Sequence, residues 1–308
     1  MMNSKTLVKK ILFVFLLSLT VLSLTYYVFR ILNSNISNTT TQSNVEIEKP
    51  LTYVIFGDSG SGDENQKKVA KSIGEYCKDV TCQAIFHTGD IIYDKGISSD
   101  IDPLFVDRFT SLYDSYEVPI YLSLGNHDYY GCETCYISAV TKQSKNAKFP
   151  STYYEVKEEN SSFFVIDTEK YDKTQSEWLY SNINSSTSDW KFVLGHRPIR
   201  STESLHGKET FPGKEELRSD ICKDADILFS GHSHSLEFNE IPLCNALQVI
   251  SGGGGKELRA QDPTLKDNGI FFGNTFGFVS LEVYSEKVII NYFNSSRELI
   301  YQNSIVKE

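Results

Sequence analysis

Five apolar runs in this chain stop in the same way, with a glycine followed by a side chain able to bind a metal ion. They end in Gly57-Asp58, Gly89-Asp90-Ile91-Ile92-Tyr93, Gly125-Asn126-His127-Asp128, Gly195-His196-Arg197-Pro198 and Gly231-His232-Ser233-His234. The runs are rich in β-branched and aromatic residues, and polar, helix-compatible stretches separate most of them. Unbroken apolarity of that kind predicts strands buried on both faces. Open α/β sheets gather their ligand sites in the loops past the C-terminal ends of their strands. A glycine there lets the backbone turn sharply and lets other groups come close. Five repetitions in order along one chain make coincidence a poor explanation.

The pattern predicts strands from Thr52 to Phe56, Gln83 to Thr88, Pro119 to Leu124, Phe163 to Asp167, Trp190 to Leu194 and Asp226 to Phe229. Helices are expected from Asn65 to Cys77, Pro103 to Tyr113, Thr174 to Ile183 and Lys214 to Ser219. Past Ser235 the helical stretches stop. Leu247 to Ser251, Gly277 to Val283 and Lys287 to Phe293 read as strands, the last two turning at Tyr284-Ser285-Glu286 as in an antiparallel hairpin. The expected architecture is a four-layer α/β (α+β) sandwich: two mixed β-sheets packed face to face, with helices on the outside.

With 308 residues and 40% hydrophobic content, the chain can bury one large core. The formal net charge is -10, and no basic run tracks a nucleic-acid backbone, so the reading is no nucleic acid. An acidic surface repels polyanions. Attraction for phosphate must then be local, and bound metal is the obvious source.

Lys5, Lys9 and Lys10 precede an apolar run from Ile11 to Val28, closed by Arg30. Residues 1–32 read as a signal-anchor or signal peptide. The absence of an Ala-x-Ala site favours the uncleaved form, which would tie the protein to a membrane. Either form puts the basic end inside and the remainder outside the cytosol, membrane-anchored or secreted. Residues 33–50, rich in Asn, Ser and Thr, read as a flexible linker, and 51–308 as the catalytic domain. Asn35, Asn38, Asn160, Asn184 and Asn294 carry glycosylation sequons, which matter only in a eukaryotic source. Six cysteines suit an oxidising compartment. Pairing in chain order, Cys77–Cys82, Cys132–Cys135 and Cys222–Cys244, is the first choice. A redox pair or zinc knuckle at Cys132-x-x-Cys135 is the rival. Nothing calls for an obligatory protein partner.

Taken singly, the candidate ligands have bland readings. Asp58 could cap a helix, Asn126 could be turn chemistry, and Tyr93 could be a buried aromatic with a bonded hydroxyl. His87 reads as a packing residue, and Asp128 as a support rather than a ligand. Arg197 would either touch phosphate or be solvated. Together, the oxygen and imidazole donors suit a pair of hard or borderline metal ions. Two such ions held side by side are a device for phosphate ester hydrolysis.

The set resembles the calcineurin-like metallophosphoesterases and, more narrowly, the purple acid phosphatases of the small tartrate-resistant type. The tyrosine of Gly-Asp-x-x-Tyr, here Tyr93, carries the narrower resemblance, which spans roughly Leu51 to Phe293. It implies that Asp58, Asp90, Tyr93 and His234 hold Fe(III). Asp90, Asn126, His196 and His232 would hold a second divalent ion (Fe, Zn or Mn), with Asp90 bridging. Ferric iron is acidic enough to keep a phenol ionised at low pH, and the tyrosinate would colour the protein. The resemblance also implies an acid phosphatase acting on a small phosphorylated substrate, with in-line attack on phosphorus by a metal-bound hydroxide. His127 would stabilise the transition state or protonate the leaving oxygen. His206, in Leu205-His206-Gly207, would assist. The family has Glu-His-Gly at that place, so Leu205 replaces the expected glutamate.

Two other functions fit the same ligands: a phosphodiesterase or nucleotide-cleaving enzyme, and a non-catalytic surface protein that keeps the fold for binding. The Gly252 to Gly255 run lacks the Lys-Ser/Thr of a phosphate loop and reads as a tight bend near the second sheet. Ser59-Gly60-Ser61-Gly62 lies by position at the mouth of the site.

Overall fold

The computed structural model describes residue 13, residues 20–31 and residues 48–307. Its contacts divide the chain into two units, Met1–Glu48 and Lys49–Glu308. In the first, residues 20–31 are helical. The apolar run expected from Ile11 to Val28 lies partly outside the described residues, as does the linker up to residue 47. Among the described residues, no helix is long and apolar enough to cross a membrane.

The second unit is built on two seven-stranded mixed sheets, as the apolar runs predict. The first sheet has the order β14-β13-β12-β1-β2-β3-β4. Its members are β1 (Leu51–Phe56), β2 (Ala84–His87), β3 (Ile120–Leu122), β4 (Ala147–Lys148), β12 (Gly277–Val283), β13 (Lys287–Asn294) and β14 (Leu299–Val306). The second has the order β11-β9-β10-β8-β7-β6-β5. It comprises β5 (Tyr154–Lys157), β6 (Ser161–Val165), β7 (Trp190–Leu194), β8 (Ile227–Ser230), β9 (Leu236–Glu240), β10 (Leu247–Ser251) and β11 (Phe271–Gly273). Strands β1 to β4 run parallel, as do β6, β7, β8 and β10. Parallel neighbours need crossovers, and helices supply most of them. These are α1 (Glu64–Val80), the helical turns of residues 103–113, α2 (Asn126–Tyr129), α3 (Cys135–Gln143), α4 (Lys173–Ser185) and α5 (Lys214–Asp224).

Period-two alternation along the strands explains the layers. Phe163, Phe192, Leu194, Ile227 and Phe229 point into the core between the two sheets. There Phe163 stacks on Phe86 at 4.4 Å and leans on Tyr53 at 4.7 Å between centroids. Phe164, Val193 and Leu228, one residue out of phase, face a second core with Leu179 and Ile183 of α4 and Leu217 and Ile221 of α5. On the far side, Val69, Ala70 and Ile73 of α1 cover the first sheet. Both faces of each central strand are therefore apolar, which is why these strands read as unbroken hydrophobic runs.

Three disulfides, Cys77–Cys82, Cys132–Cys135 and Cys222–Cys244, match the pairing in chain order. Cys132 lies in the expected loop, but Cys135 opens α3.

Candidate metal centre

The five glycine-led segments converge at one rim. Asp58 follows β1, Asp90 and Tyr93 follow β2, and Asn126 follows β3, all on the first sheet. His196 follows β7, while His232 and His234 follow β8 on the second. Because the two sheets present these strand ends together, loops far apart in sequence meet.

The local backbone is built for close approach. A Cβ at Gly125 would collide with Asp90 Oδ1, and one at Gly231 with Asp58 Oδ2. The next residue is often strained: Asp58, Asp90 and His232 have φ of 57°, 55° and 66°. Left-handed backbone at non-glycine residues costs about 1–3 kcal/mol each and collects at functional sites. The helix-cap reading of Asp58 does not hold, because α1 is capped by Asp63.

The polar atoms form two adjoining knots. In the first, Tyr93 Oη lies 3.1 Å from Asp58 Oδ1 and 3.2 Å from His234 Nε2, with His234 Nε2 3.7 Å from Asp58 Oδ1. In the second, His196 Nε2 lies 3.1 Å from Asn126 Oδ1, 3.2 Å from His232 Nδ1 and 3.5 Å from Asp90 Oδ1. Ligand atoms of Asp58, Asp90 and His196 all fall within 4.8 Å of one another, which joins the knots. Donors ~2.1 Å from a shared ion stand about 3–3.5 Å apart. The spacing therefore fits cations between these atoms.

Electrostatics points the same way. Asp58, Asp90 and Asp128 are buried at 0%, 1% and 0% exposure. Among the described residues, the ion pairs of Asp58 and Asp90 are to histidine, not to Lys or Arg. Burial, and then Asp90 beside it, pushes the Asp58 carboxyl well above its usual range. Burial also raises Asp90, but His196 and His127 draw it below the usual value. Burial lowers the His232 and His234 imidazoles to about 3 and about 4, so both stay neutral and able to ligate. Buried carboxylates paired with neither Lys nor Arg among the described residues, beside neutral imidazoles, are the donor set of a metal site.

Several of these donors are held from behind. His196 Nδ1 is 2.8 Å from Thr88 O, and His234 Nδ1 is 2.8 Å from Glu257 O. Asp128 accepts from the N–H groups of Ile91, Ile92 and Gly125 and from the Tyr136 hydroxyl, tying the Asp90 loop to the Asn126 loop. His87 lies 2.8 Å from Ser59 Oγ in the strand behind. The Gly252 to Gly255 bend laces the two sheets, since Gly252 N donates to Ser235 O and Gly254 N to Gly57 O.

His127 and His206 stand beside the knots. The His127 amide donates to Asp90 Oδ1, its Nδ1 is 2.7 Å from Asp94 O, and its ring lies 4.4 Å from that of Tyr93. The His206 ring lies 4.0 Å from His232 and 6.0 Å from His234. Its Nδ1 is 2.8 Å from the buried Glu203 carboxylate, an ion-pair contact without hydrogen-bond alignment. Glu203 also accepts from the backbone N–H of Leu205 and His206. A carboxylate thus faces His206 even though Leu205 occupies the expected position and is exposed.

Arg197 is neither solvated nor poised on the knots as a free cation. Glu169 grips it twice, at 2.8 and 3.1 Å, and Glu209 lies 2.6 Å from its Nη1. Glu169, Glu203 and Glu209 escaped the sequence reading. Nothing in Gly207-Lys208-Glu209-Thr210 separates a buried contact from a solvated loop.

The calcineurin-like phosphoesterase profile matches residues 51–236. The chain belongs to the calcineurin-like phosphoesterase family, whose two-metal centre the donor set fits. Within it, purple acid phosphatase 3 of Arabidopsis thaliana is 27% identical, over 88% of this chain and 84% of the relative. Two solved structures share the fold. Purple acid phosphatase PPD1 from yellow lupin (Lupinus luteus) seeds superposes with a TM-score of 0.71 at 22% identity, covering 85% of this chain and 54% of that one. GAP50, the anchor in the inner membrane complex of Plasmodium, gives 0.72 at 19% identity, covering 85% and 90%.

Proposed function

We propose that the protein is a phosphomonoesterase of the purple acid phosphatase type. The observation that carries this reading is the pair of adjoining donor knots, with Tyr93 in the first. Asp58, Asp90, Tyr93 and His234 would hold a ferric ion, and Asp90, Asn126, His196 and His232 a divalent Fe, Zn or Mn. Bound there, the ions would supply Lewis acidity that neutralises phosphate charge and lowers the pKa of an attacking water.

The protein's own groups do the rest. Asp90 and Asn126 are fixed by the Asp128 clamp, so substrate meets a preorganised floor rather than a mobile loop. Three anionic ligands against a trivalent and a divalent ion would leave the pocket positive inside an acidic surface, which would draw phosphate inward. His127, with Nδ1 engaged by Asp94 O, has no hydrogen-bond partner at Nε2 among the described residues, so that atom would meet a phosphate oxygen or the leaving oxygen. His206, whose ring lies 4.0 Å from that of His232, would assist from the side of that imidazole. Residues 1–32 would direct the protein out of the cytosol, and the three disulfides suit that compartment.

Comparing rates on p-nitrophenyl phosphate and bis(p-nitrophenyl) phosphate tests the substrate class. A clear excess on the monoester is expected. Faster cleavage of the diester would replace this reading with a phosphodiesterase. No turnover of either by protein carrying two metals would leave a binding protein on this fold.

A further inference from the structure

Each of the three histidines in the knots uses one ring nitrogen toward the other donors and has the second engaged from outside. For His196 and His234 that outer partner is a main-chain oxygen, Thr88 O and Glu257 O. For His232 the outer partners are side chains: Nε2 lies 2.7 Å from Glu209 Oε2 and 3.2 Å from Arg197 Nη1. Glu209 is 36% exposed, whereas the His232 ring is nearly buried. A carboxylate accepting an imidazole N–H forms a stronger bond than a neutral carbonyl does. The carboxylate is the shorter of the two contacts and favours the tautomer with the proton on Nε2 over the one that would accept from Arg197. With the proton on Nε2, the Nδ1 lone pair is bare and faces His196 Nε2 at 3.2 Å.

Glu209 is itself braced. Its Oε1 lies 2.6 Å from Arg197 Nη1, and Arg197 is gripped by both oxygens of Glu169. The Arg197 amide donates to Thr168 Oγ1 at 2.9 Å, and its chain neighbour is His196. Lys214 Nζ donates to Glu209 O, and the Glu209 amide to His206 O. The chain Glu169–Arg197–Glu209 thus holds the His232 ring from the side, starting one residue from the other imidazole of the same knot. Among the described residues, the imidazole of the Asp58/Tyr93/His234 knot has a main-chain oxygen, not a carboxylate, behind it.

We propose that Glu209 is a positioning residue for His232 that sets the affinity of one metal position, the one formed by Asp90, Asn126, His196 and His232, and leaves the other untouched. The inference rests on the two-metal reading above. Carboxylates behind metal-bound imidazoles are worth about 10–100-fold in metal affinity. The test is calorimetric titration of metal-stripped protein with Zn2+, in wild type, Glu209→Ala and Glu209→Gln. Wild type should take up two zinc ions. In Glu209→Ala one of the two steps should weaken about 10–100-fold while the other stays put. The near-isosteric Glu209→Gln, which retains an acceptor oxygen but no charge, should lose less. If both steps in both variants match wild type, Glu209 has no such role. If wild type itself takes up no zinc, the two-metal reading fails instead. Glu209→Gln serves as the readout should Glu209→Ala fold poorly.

Discussion

The Tyr93 hydroxyl lies 3.1 Å from Asp58 Oδ1, with both side chains buried and His234 Nε2 at 3.2 Å from the same hydroxyl. Burial and the nearby Asp58 and Asp90 push the phenol well above its ordinary pKa. A strong Lewis acid is needed to ionise it in that setting.

Tyr93→Phe keeps the ring volume and removes only the oxygen. Iron-loaded wild type should absorb in the visible through a tyrosinate–iron transition, and the variant should be colourless. An absorption spectrum of each at matched iron content decides this. A variant as coloured as wild type would remove Tyr93 from the ligand set.

Asp128 ties three backbone N–H groups and the Tyr136 hydroxyl into one buried acceptor. Asp128→Ala strands all four donors and should cost about 3 kcal/mol or more. Tyr136→Phe, which removes a single bond, should cost about 1 kcal/mol. Denaturant titrations of both proteins give the ordering, and metal analysis of Asp128→Ala should show lowered occupancy.

Asp58 and Asp90 are buried close together and, among the described residues, neither pairs with Lys or Arg, so metal-free protein holds two crowded carboxyl groups at its centre. Chelation should lower Tm by several degrees, and adding back Zn2+ should restore it. A thermal melt unchanged by a strong chelator that removes all metal would contradict the cation-filled reading of the two knots.

Asp102 accepts from the Ser98 N–H and hydroxyl and from the Leu104 N–H, and is 7% exposed. Burial opposes its charge, yet these bonds hold its carboxyl below the usual value. A depressed folded-state pKa gives stability that is present above the unfolded pKa of about 4 and is lost as pH falls through the folded value. Asp102→Ala should therefore cost about 1–2 kcal/mol near neutrality and progressively less below pH 4. Unfolding free energies at pH 7 and pH 3 provide the comparison.

Cys222 on α5 and Cys244 after β9 close a 22-residue separation around β8 and the His232/His234 loop. Cys222→Ser combined with Cys244→Ser should cost about 3 kcal/mol. Chemical unfolding of the double variant checks it.

The side chains that converge at the rim were legible in the sequence because one pattern marks their segments: a buried strand, a glycine, then residues able to bind a metal ion. The strands that carry them, β1, β2, β3, β7 and β8, are apolar on both faces, so their pattern is unmistakable. β9 was hidden for the opposite reason. Its Glu237 and Asn239 are buried, with Glu237 accepting from Ser201, Thr202, Ser235 and Asn239, so a core strand looks polar. β4, β5, β11 and β14 lie at or near sheet edges, and short or half-solvated strands give weak periodicity. Glu203 and Glu209 were illegible because their meaning depends on loop 203–214 folding over His232, a long-range contact with no local signature.

The order of the sheets has a kinetic consequence. Each knot draws donors from both halves of the sandwich: Asp58 and Tyr93 meet His234, and Asp90 and Asn126 meet His196 and His232. Any cation seated there rivets one sheet to the other. Escape of that ion and momentary parting of the strand ends become the same event, so metal exchange and amide deuteration at this rim should slow together.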